Sequence, residues 1–256
     1  MNYKLSAAFL YNKVSVIIPV YNAGSYVCKA VESALALSEV GEIILIEDGS
    51  HDNSLNVCKE LEQKFNKIKL FTHPGGINKG AGASRNVGID NAHLEFIAFL
   101  DADDYYLPNR FEAEDIIFKE KSDTAGVYGA LGFHYYSEEG KQKYEQNAFG
   151  QLTTLPGKPK PNELFLSLTW LHPEINGNFS VVALTLRRSV FDRKAEKFGL
   201  LKMHEDTFFI IQLSLTCRLE AGIIDIPVAM RGVHDHNRIV NNNDPRSRLI
   251  MWTELY

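Results

Sequence analysis

The sequence of 256 residues contains little cysteine and no long apolar run. Its cysteines, Cys28, Cys58 and Cys217, lie far apart, with no CxxC motif and no Cys/His pair at zinc-ligand spacing. We therefore expect reduced thiols in or near the core, in a reducing compartment. No stretch approaches the roughly 18 apolar residues of a membrane helix, and the N-terminus lacks a signal-peptide layout. These absences predict a cytoplasmic protein with at most peripheral association at the inner face of the membrane.

Charge of neither sign dominates, since 27 Lys and Arg against 32 Asp and Glu give a net charge of −5. This balance argues against a generally basic surface for nucleic acid, so we expect no nucleic-acid partner. The composition, 45% hydrophobic and 23% charged, is typical of a globular protein. The length fits one domain with a substantial core. Because no repeat or linker divides the chain, a single domain is predicted over residues 1–256.

Strand and helix patterns alternate through the first hundred residues. Short β-branched runs are typical of buried parallel strands, and the segments between them carry apolar residues at helical spacing. This alternation predicts an α/β fold with a doubly wound, mostly parallel sheet and flanking helices. Strands are predicted at Val14–Val20, Glu42–Asp48, Ile68–Thr72 and Phe96–Leu100, and helices at Ser25–Leu37 (capped by Ser25), after a cap at Asp52 or Asn53, and at Asn86–Asn91.

The second half of the chain is less regular. We expect strands over Ala125–Tyr136, Ser180–Leu186 and Ile223–Val228, and a helix over His204–Leu219. The polar stretch Ser137–Pro161 is predicted to be a loop. Trp170 is assigned to the core, with an indole that stacks on a ligand as the alternative.

An acidic run, Asp101-Ala102-Asp103-Asp104, follows the fourth predicted strand. Residues two apart in an extended segment point to the same side, so Asp101 and Asp103 can face one ligand. Hard divalent cations prefer oxygen ligands and often share carboxylates with substrate phosphates. Crowded carboxylates repel one another unless a cation is present. The run therefore favours a Mn²⁺ or Mg²⁺ site over its alternative, a solvated acidic turn.

Three further segments follow predicted strands or open a helix at the same edge. Open α/β sheets bind ligands beyond the carboxyl ends of their strands. Glycine permits close backbone approach, and arginine pairs with phosphates. Each segment alone is also compatible with a turn or a helix cap. The three are Pro-Val-Tyr-Asn (19–22), Glu-Asp-Gly-Ser (47–50) and Asn-Lys-Gly-Ala-Gly-Ala-Ser-Arg-Asn (78–86).

The order and spacing of these four motifs resemble glycosyltransferase family 2, strongly from Val14 to about Pro108. The resemblance implies a GT-A fold with a donor half (about 1–108) and an acceptor half (about 109–256). It also implies an inverting transfer from a nucleotide diphosphate sugar, with uridine the usual base, to a saccharide-containing acceptor, with Mn²⁺ or Mg²⁺. The implied donor-binding residues are Pro19, Val20, Tyr21, Glu47, Asp48, Asn78, Gly80, Arg85, Asp101 and Ala102, and the implied metal ligands are Asp103, Asp101 and His234.

The family's catalytic base is an acid at the start of a late helix, which His204-Glu205-Asp206 matches. An acceptor hydroxyl must lose its proton as it attacks, and a carboxylate is favoured at a helix N-terminus. We favour Asp206 as the base and Glu205 as the alternative; both could also be simple first-turn acids. His234 is preferred to His236 near the metal, and Arg231 or Arg238 could assist at the diphosphate.

Other classes fit the motifs less well. A sugar-phosphate nucleotidyltransferase should have a Gly-rich, Arg-containing loop where Pro-Val-Tyr-Asn stands. A phosphatase with an aspartyl nucleophile should carry its Asp-x-Asp on the first strand. An inactive glycosyltransferase-like subunit should lack an acid of the acidic run or of the late pair, and both are present. The sugar, the acceptor and the oligomeric state stay open.

Overall fold

The computed structural model describes residues 9–147, 151–192, 197–199, 201, 203–234 and 253. Within these residues strands and helices alternate through the first half, as predicted. The strands are β1 (Val14–Val20), β2 (Val40–Glu47), β3 (Ile68–Thr72), β4 (Phe96–Phe99), β5 (Tyr105–Tyr106), β6 (Gly126–Tyr128), β7 (Ala130–Tyr135), β8 (Leu184–Arg187), β9 (Leu219–Ala221) and β10 (Pro227–Val233). The α-helices are α1 (Val27–Leu35), α2 (Ser54–Lys64), α3 (Ala81–Asp90), α4 (Glu112–Glu120), α5 (Glu138–Asn147), α6 (Leu164–Leu168) and α7 (Glu205–Thr216).

Two sheets organise the described residues. The larger has seven strands in the order β3-β2-β1-β4-β8-β6-β9, in which only β8 runs antiparallel to its neighbours. The smaller has the order β5-β10-β7, with β10 antiparallel to β5 and parallel to β7. The predicted α/β fold, with a mostly parallel sheet and flanking helices, is confirmed.

The parallel strands β1, β2 and β4 end at one edge of the larger sheet. Ile17 of β1 lies opposite both Ile44 of β2 and Phe99 of β4. These strands are largely buried, because their β-branched and aromatic side chains fill the core between the helices. The segments that follow them therefore meet at the same edge, where the sequence motifs lie.

Helix α3 begins well before the predicted helix at Asn86–Asn91. The glycine-rich stretch is itself helical from Ala81 onward, after Gly80 at φ +90°. Glycine is a poor helix former, but a Cβ on Gly88 would lie 2.3 Å from the Cγ2 of Ile17. Close packing on the sheet therefore explains a helix that local propensity does not predict.

The predicted side-chain cap is wrong for the first helix and is found at one of the two predicted residues for the second. Helix α1 starts after Tyr26 rather than Ser25, and no side chain caps it. Asn53 precedes α2 without a capping bond from its side chain. Asp52, the other predicted cap, accepts a hydrogen bond from the N–H of Ser54 at the start of α2 and another from the N–H of Gly24, both at 3.0 Å.

Several predictions for the second half also need correction. The single strand expected over Ala125–Tyr136 is divided between the two sheets as β6 and β7. The loop expected over Ser137–Pro161 contains α5. The strand expected over Ser180–Leu186 begins with a 3₁₀ turn before β8, and Ile223–Val228 mostly connects β9 to β10.

Two predictions of burial are wrong as well. Trp170 is 69% exposed rather than in the core, and it has φ +62°. Cys28 is exposed, whereas Cys58 is buried and Cys217 half-buried; all three are free thiols.

None of the helices in the described part of the chain combines the length and apolar character required to span a bilayer.

Candidate functional site

Asp48, at the end of β2, holds the turn that precedes α3. Its carboxylate is buried and accepts hydrogen bonds from the N–H groups of Lys79 at 2.6 Å and Gly80 at 2.9 Å. The Nε2 atom of His73 lies 3.5 Å from the same carboxylate. A carboxylate can accept about four hydrogen bonds, so the predicted contact of Asp48 with a nucleoside stays compatible with this geometry.

Glu47 fixes the loop after β2. Its two carboxylate oxygens accept hydrogen bonds from the N–H groups of Gly49 at 3.2 Å and Ser50 at 2.6 Å. Gly49 has φ +70°, and a Cβ there would lie 2.5 Å from the carbonyl oxygen of Gly76. Both carboxylate oxygens of Glu47 therefore bind backbone N–H groups, and these hydrogen bonds shape the loop at the edge where a ligand would bind.

The Pro-Val-Tyr-Asn segment presents one large side chain to solvent. Val20 is fully buried and Pro19 is half-buried in β1, whereas Tyr21 is 45% exposed and meets His51 edge-on at 6.4 Å. Asn22 has φ +50°, and its side-chain oxygen accepts a hydrogen bond from the N–H of His51 at 2.8 Å. Of the predicted donor residues in this segment, only Tyr21 offers a broad exposed surface. Asn78 is exposed in the turn before Gly80.

Arg85 joins the acidic run to the late acid pair. Its Nη2 donates to Oδ1 of Asp101 at 2.6 Å, and its Nη1 lies 3.4 Å from Oε1 of Glu205. Burial alone would lower the pKa of Arg85, but the charges of Asp101, Glu205 and Asp206 outweigh burial and raise it above its usual value. Residues predicted separately as donor-binding and catalytic therefore meet at one guanidinium.

Asn86 contributes a contact that the sequence did not reveal. Its side-chain NH₂ donates to the carbonyl of Phe198 at 2.9 Å, and its side-chain oxygen accepts from the N–H of Phe198 at 3.0 Å. The Phe198 ring stacks on Phe209 of α7, with centroids 4.1 Å apart. Helix α3 thus holds the segment that leads to α7. The partners are 112 residues apart, so no local pattern signals this pairing.

The acidic run follows β4 and lies against β10. Asp104 is buried and accepts a hydrogen bond from the N–H of Gly232 at 2.9 Å. Burial, together with the charges of Asp103 and Asp101, raises the pKa of Asp104 well above its usual value. A Cβ on Gly232 would lie only 2.0 Å from the carbonyl oxygen of Asp103. Glycine therefore allows β10 to approach the run directly. Ala102 is buried.

His234 lies just after β10 and close to Asp103. Its Nε2 is 3.2 Å from Oδ2 of Asp103, and its ring stacks on Tyr26 at 4.7 Å between centroids. This stacking fixes the plane of the imidazole beside the carboxylate. The alternatives His236 and Arg238 lie outside the described residues.

The chemistry of these side chains fits a divalent cation shared with a phosphate ligand. Asp103 and His234 provide an oxygen and a nitrogen donor, and the carboxylate of Asp101 is 38% exposed. In the described part of the chain, no three His, Cys, Asp or Glu side chains form a group that could hold a metal ion. Mg²⁺ commonly takes only one or two protein carboxylates and completes its shell with substrate phosphates and water. The residues thus fit an open site rather than a closed structural one.

The late acids differ in their surroundings. Glu205 is buried beside Arg85, whereas Asp206 is half-buried. The Oδ1 of Asp206 accepts a hydrogen bond from the N–H of Thr207 at 2.7 Å, in the first turn of α7. His204, the residue before the helix, has φ +61°. Asp206 is therefore the acid with the more accessible carboxylate.

Several sequence relatives are named as glycosyltransferases. The chain is 40% identical over 102 residues to "Uncharacterized glycosyltransferase YibD" of Escherichia coli K12, covering 40% of this chain and 29% of the relative. It is 32% identical over 129 residues to the succinoglycan biosynthesis protein ExoU of Rhizobium meliloti, covering 46% and 37%. The chain thus spans less than half the length of these relatives.

A solved structure shares the fold. The crystal structure of S. aureus TarS 1–349 in complex with UDP-GlcNAc matches with a TM-score of 0.67 at 17% identity, covering 95% of this chain and 66% of that chain. The predicted GT-A fold is thereby confirmed. The model of the family described as "Glycosyl transferase family 2" matches residues 15–190, more than half of the chain, including all four N-terminal motifs. This chain belongs to glycosyl transferase family 2.

Proposed function

We propose that this chain transfers a sugar, with inversion, from a UDP-sugar to a hydroxyl group of a saccharide-containing acceptor. The observation that carries the proposal is the meeting of Asp101 and Glu205 at Arg85. This contact brings the acidic run next to the carboxylate pair Glu205 and Asp206. The run suits a diphosphate and its cation, and the pair suits proton abstraction. TarS structures in complex with UDP and UDP-GlcNAc support a uridine nucleotide. The name of ExoU supports a role in polysaccharide biosynthesis.

The donor would lie along the edge beyond β1, β2 and β4. The exposed ring of Tyr21 and the carboxylate of Asp48 suit the nucleoside, and Asn78 lies in the turn that Asp48 holds. The diphosphate would lie near Asp101 and Asp103. Mn²⁺ or Mg²⁺, held by Asp103 and His234 with Asp101 nearby, would supply positive charge to the departing diphosphate.

On the acceptor side, Asp206 takes the proton of the attacking hydroxyl. As that proton leaves, the hydroxyl oxygen forms a bond to the anomeric carbon and the bond from that carbon to the diphosphate oxygen breaks. The electron pair leaves with the nucleoside diphosphate. A single displacement from the opposite face inverts the anomeric configuration. Glu205, already engaged with Arg85, is the weaker candidate for the base.

We also propose that the reaction takes place in the cytoplasm. The three cysteines are free, which fits a reducing compartment. A lipid-linked acceptor would then be reached at the inner face of the membrane.

Calorimetric titration with a panel of nucleoside diphosphates tests the proposal. UDP, GDP, ADP and CDP would be titrated into the wild type and Asp103→Ala, with Mn²⁺ and with a chelator. We expect Mn²⁺-dependent binding of UDP that Asp103→Ala loses. No binding of any nucleotide to the wild type would contradict the proposal and favour an inactive glycosyltransferase-like subunit.

A further inference from the structure

His73 follows β3, on the same edge of the larger sheet as the proposed donor site. Its side chain is buried, and the reaction proposed above does not use it. We infer that His73 is a positioning residue for the nucleotide. It holds the carboxylate of Asp48 in the orientation that recognises the base of the donor, and Ser84 in turn orients His73. The inference rests on the proposed function, in which Asp48 contacts the nucleoside.

Three buried polar side chains from different parts of the fold meet at this edge. The Nε2 atom of His73 lies 3.0 Å from Oγ of Ser84 in α3 and 3.5 Å from Oδ1 of Asp48. An ionised carboxylate only accepts hydrogen bonds, so it favours the form of His73 in which Nε2 carries a hydrogen. That N–H donates to Ser84 and lies beside the negative charge of Asp48.

The carboxylate of Asp48 is held firmly but keeps room for a ligand. Its Oδ1 accepts the N–H of Lys79 at 2.6 Å and faces His73, whereas its Oδ2 accepts the N–H of Gly80 at 2.9 Å. A carboxylate oxygen offers about two acceptor sites. Among the described residues only Gly80 donates to Oδ2, so one site on that oxygen is left for the base. His73 is the only side chain in the described part of the chain that makes a polar contact with this carboxylate.

The backbone of His73 joins the two loops that border the donor edge. Its carbonyl oxygen accepts a hydrogen bond from the N–H of Gly76 at 3.0 Å, which closes the turn after β3. A Cβ on Gly49 would lie 2.5 Å from the carbonyl oxygen of Gly76, so this turn packs directly on the loop after β2. The fold therefore fixes His73 at both its backbone and its imidazole, as a residue that positions another must be.

A fixed carboxylate can distinguish bases by their hydrogen-bonding edges. The N3 atom of uracil carries a hydrogen and can donate it to Oδ2 of Asp48, whereas the N3 atom of cytosine only accepts. A site built to accept a hydrogen bond rejects an analogue that cannot donate one, because its buried polar group then lacks a partner. Correct placement of Asp48 should therefore matter much more for UDP than for CDP.

The experiment compares His73→Phe and His73→Gln with the wild type, which should prefer UDP to CDP. Calorimetric titration with Mn²⁺ gives the Kd for each nucleotide. Phenylalanine keeps a planar ring but has no N–H, so we expect the Kd for UDP to rise about tenfold, in the range of a lost hydrogen bond to a charged group. The Kd for CDP should change less than about threefold. Glutamine carries an NH₂ group near the position of Nε2 and should keep most of the preference for UDP.

His93→Phe is the matched control. His93 also faces a carboxylate, Glu42 at 3.4 Å, but it is exposed and lies near the amino ends of β2 and β4. Its replacement should leave both Kd values unchanged. Three results would overturn the inference: equal affinity of the wild type for UDP and CDP, equal losses for the two nucleotides in His73→Phe, or an unchanged Kd for UDP in that variant.

Ser84→Ala tests the anchor of the imidazole and carries the test should His73→Phe fail to fold. This variant leaves His73 in place but removes the hydroxyl oxygen 3.0 Å from Nε2. We expect the Kd for UDP to rise about threefold, as the loss of one hydrogen bond between uncharged groups does, and the Kd for CDP to stay the same. An unchanged preference for UDP over CDP would overturn the inference.

A wild type that binds neither UDP nor CDP would contradict the proposed function, and the contact between His73 and Asp48 is then judged by urea unfolding. His73→Phe, Asp48→Asn and the double variant would be compared. The double variant should lose less stability than the two single variants together, because each single change already breaks the same contact. Additive losses would show that the two side chains act independently and would overturn the inference.

Discussion

The imidazole of His234 lies 3.2 Å from the carboxylate of Asp103, although 131 residues separate them. Strand β10 brings them together, because Gly232 lets it pass directly beside the acidic run. The ring of Tyr26 fixes the orientation of His234 by stacking. This arrangement presents two different donor atoms at the place where the proposed diphosphate would lie.

Replacing His234 should weaken the binding of the cation. If the imidazole is a metal ligand, His234→Ala should reduce the affinity for Mn²⁺ about tenfold or more. Replacing a residue that only orients a metal ligand already reduces metal affinity by about 10- to 100-fold. Calorimetric titration of Mn²⁺ in the presence of UDP measures the change. His93→Ala is the control, because His93 also faces a carboxylate, Glu42 at 3.4 Å, but at an exposed position. Equal affinities in both variants would exclude His234 as a ligand.

Replacing Asp206 should separate catalysis from donor binding. Asp206→Asn removes the proton acceptor, and we expect kcat to fall by roughly 10²- to 10⁴-fold, the usual contribution of general base catalysis. The Kd for UDP should stay within threefold of the wild type, because the base acts on the acceptor. UDP release assays and calorimetry provide the two measurements. Activity retained in Asp206→Asn but lost in Glu205→Gln, with the first turn of α7 intact by hydrogen exchange, would assign the base to Glu205.

The sequence predicted the parts of the fold that depend on local pattern. Strand β1 agrees with its prediction to the residue, since a β-branched run needs no distant partner to be recognised. The first half of helix α3 was missed because Gly80 precedes it and Gly82 lies within it, although packing of Gly88 on β1 stabilises the helix. Helix α5 was missed because it is almost wholly polar; its Tyr144 is buried against Phe133.

In the candidate site, too, local patterns were recognisable from the sequence, whereas contacts between distant residues were not. The four motifs were recognisable because each lies directly after a strand or at the start of a helix. Neither the Arg85–Glu205 bridge nor the Asn86–Phe198 pairing could be predicted, since each joins residues more than 100 positions apart. Trp170 was assigned to the core, but the turn after α6 leaves it exposed.

Gly232 should be intolerant of even one methyl group. A Cβ there would meet the backbone of Asp103, which has no flexible end to move aside. We expect Gly232→Ala to lower the free energy of unfolding by about 1–3 kcal/mol, as overpacking does, and to weaken Mn²⁺-dependent binding of UDP. Urea unfolding and calorimetry measure the two effects. Gly199→Ala, whose Cβ would have its nearest contact at an ordinary 3.7 Å, is the control. Equal stability of the two variants would contradict the close approach of β10.

Arg110 and Glu114 form a buried ion pair where α4 packs on the larger sheet. We expect this pair to make a large contribution to the free energy of unfolding. Arg110 Nη1 contacts Glu114, and Nη2 donates to the carbonyl of Leu184 at 3.1 Å. Arg110→Met leaves the carboxylate of Glu114 buried without a compensating charge and with only the 3.4 Å hydrogen bond from Thr185. We therefore expect a loss of about 3–5 kcal/mol in the free energy of unfolding. Urea unfolding measures this loss. Replacing both residues, in Arg110→Met/Glu114→Leu, should recover most of it.

The cost of Arg110→Met should increase with pH. Burial raises the pKa of Glu114, and the charge of Arg110 opposes that increase; without Arg110 the pKa in the folded state rises further. Between the unfolded pKa of Glu, about 4.3, and the raised folded value, the folded state binds more protons than the unfolded state. The free energy of unfolding therefore falls as pH rises through this window. Urea unfolding at pH 5 and pH 8 should show the larger deficit at pH 8, and the double variant, which lacks the carboxylate, should show no such dependence. A deficit independent of pH would mean that Arg110 stabilises the fold by packing rather than by compensating the charge of Glu114.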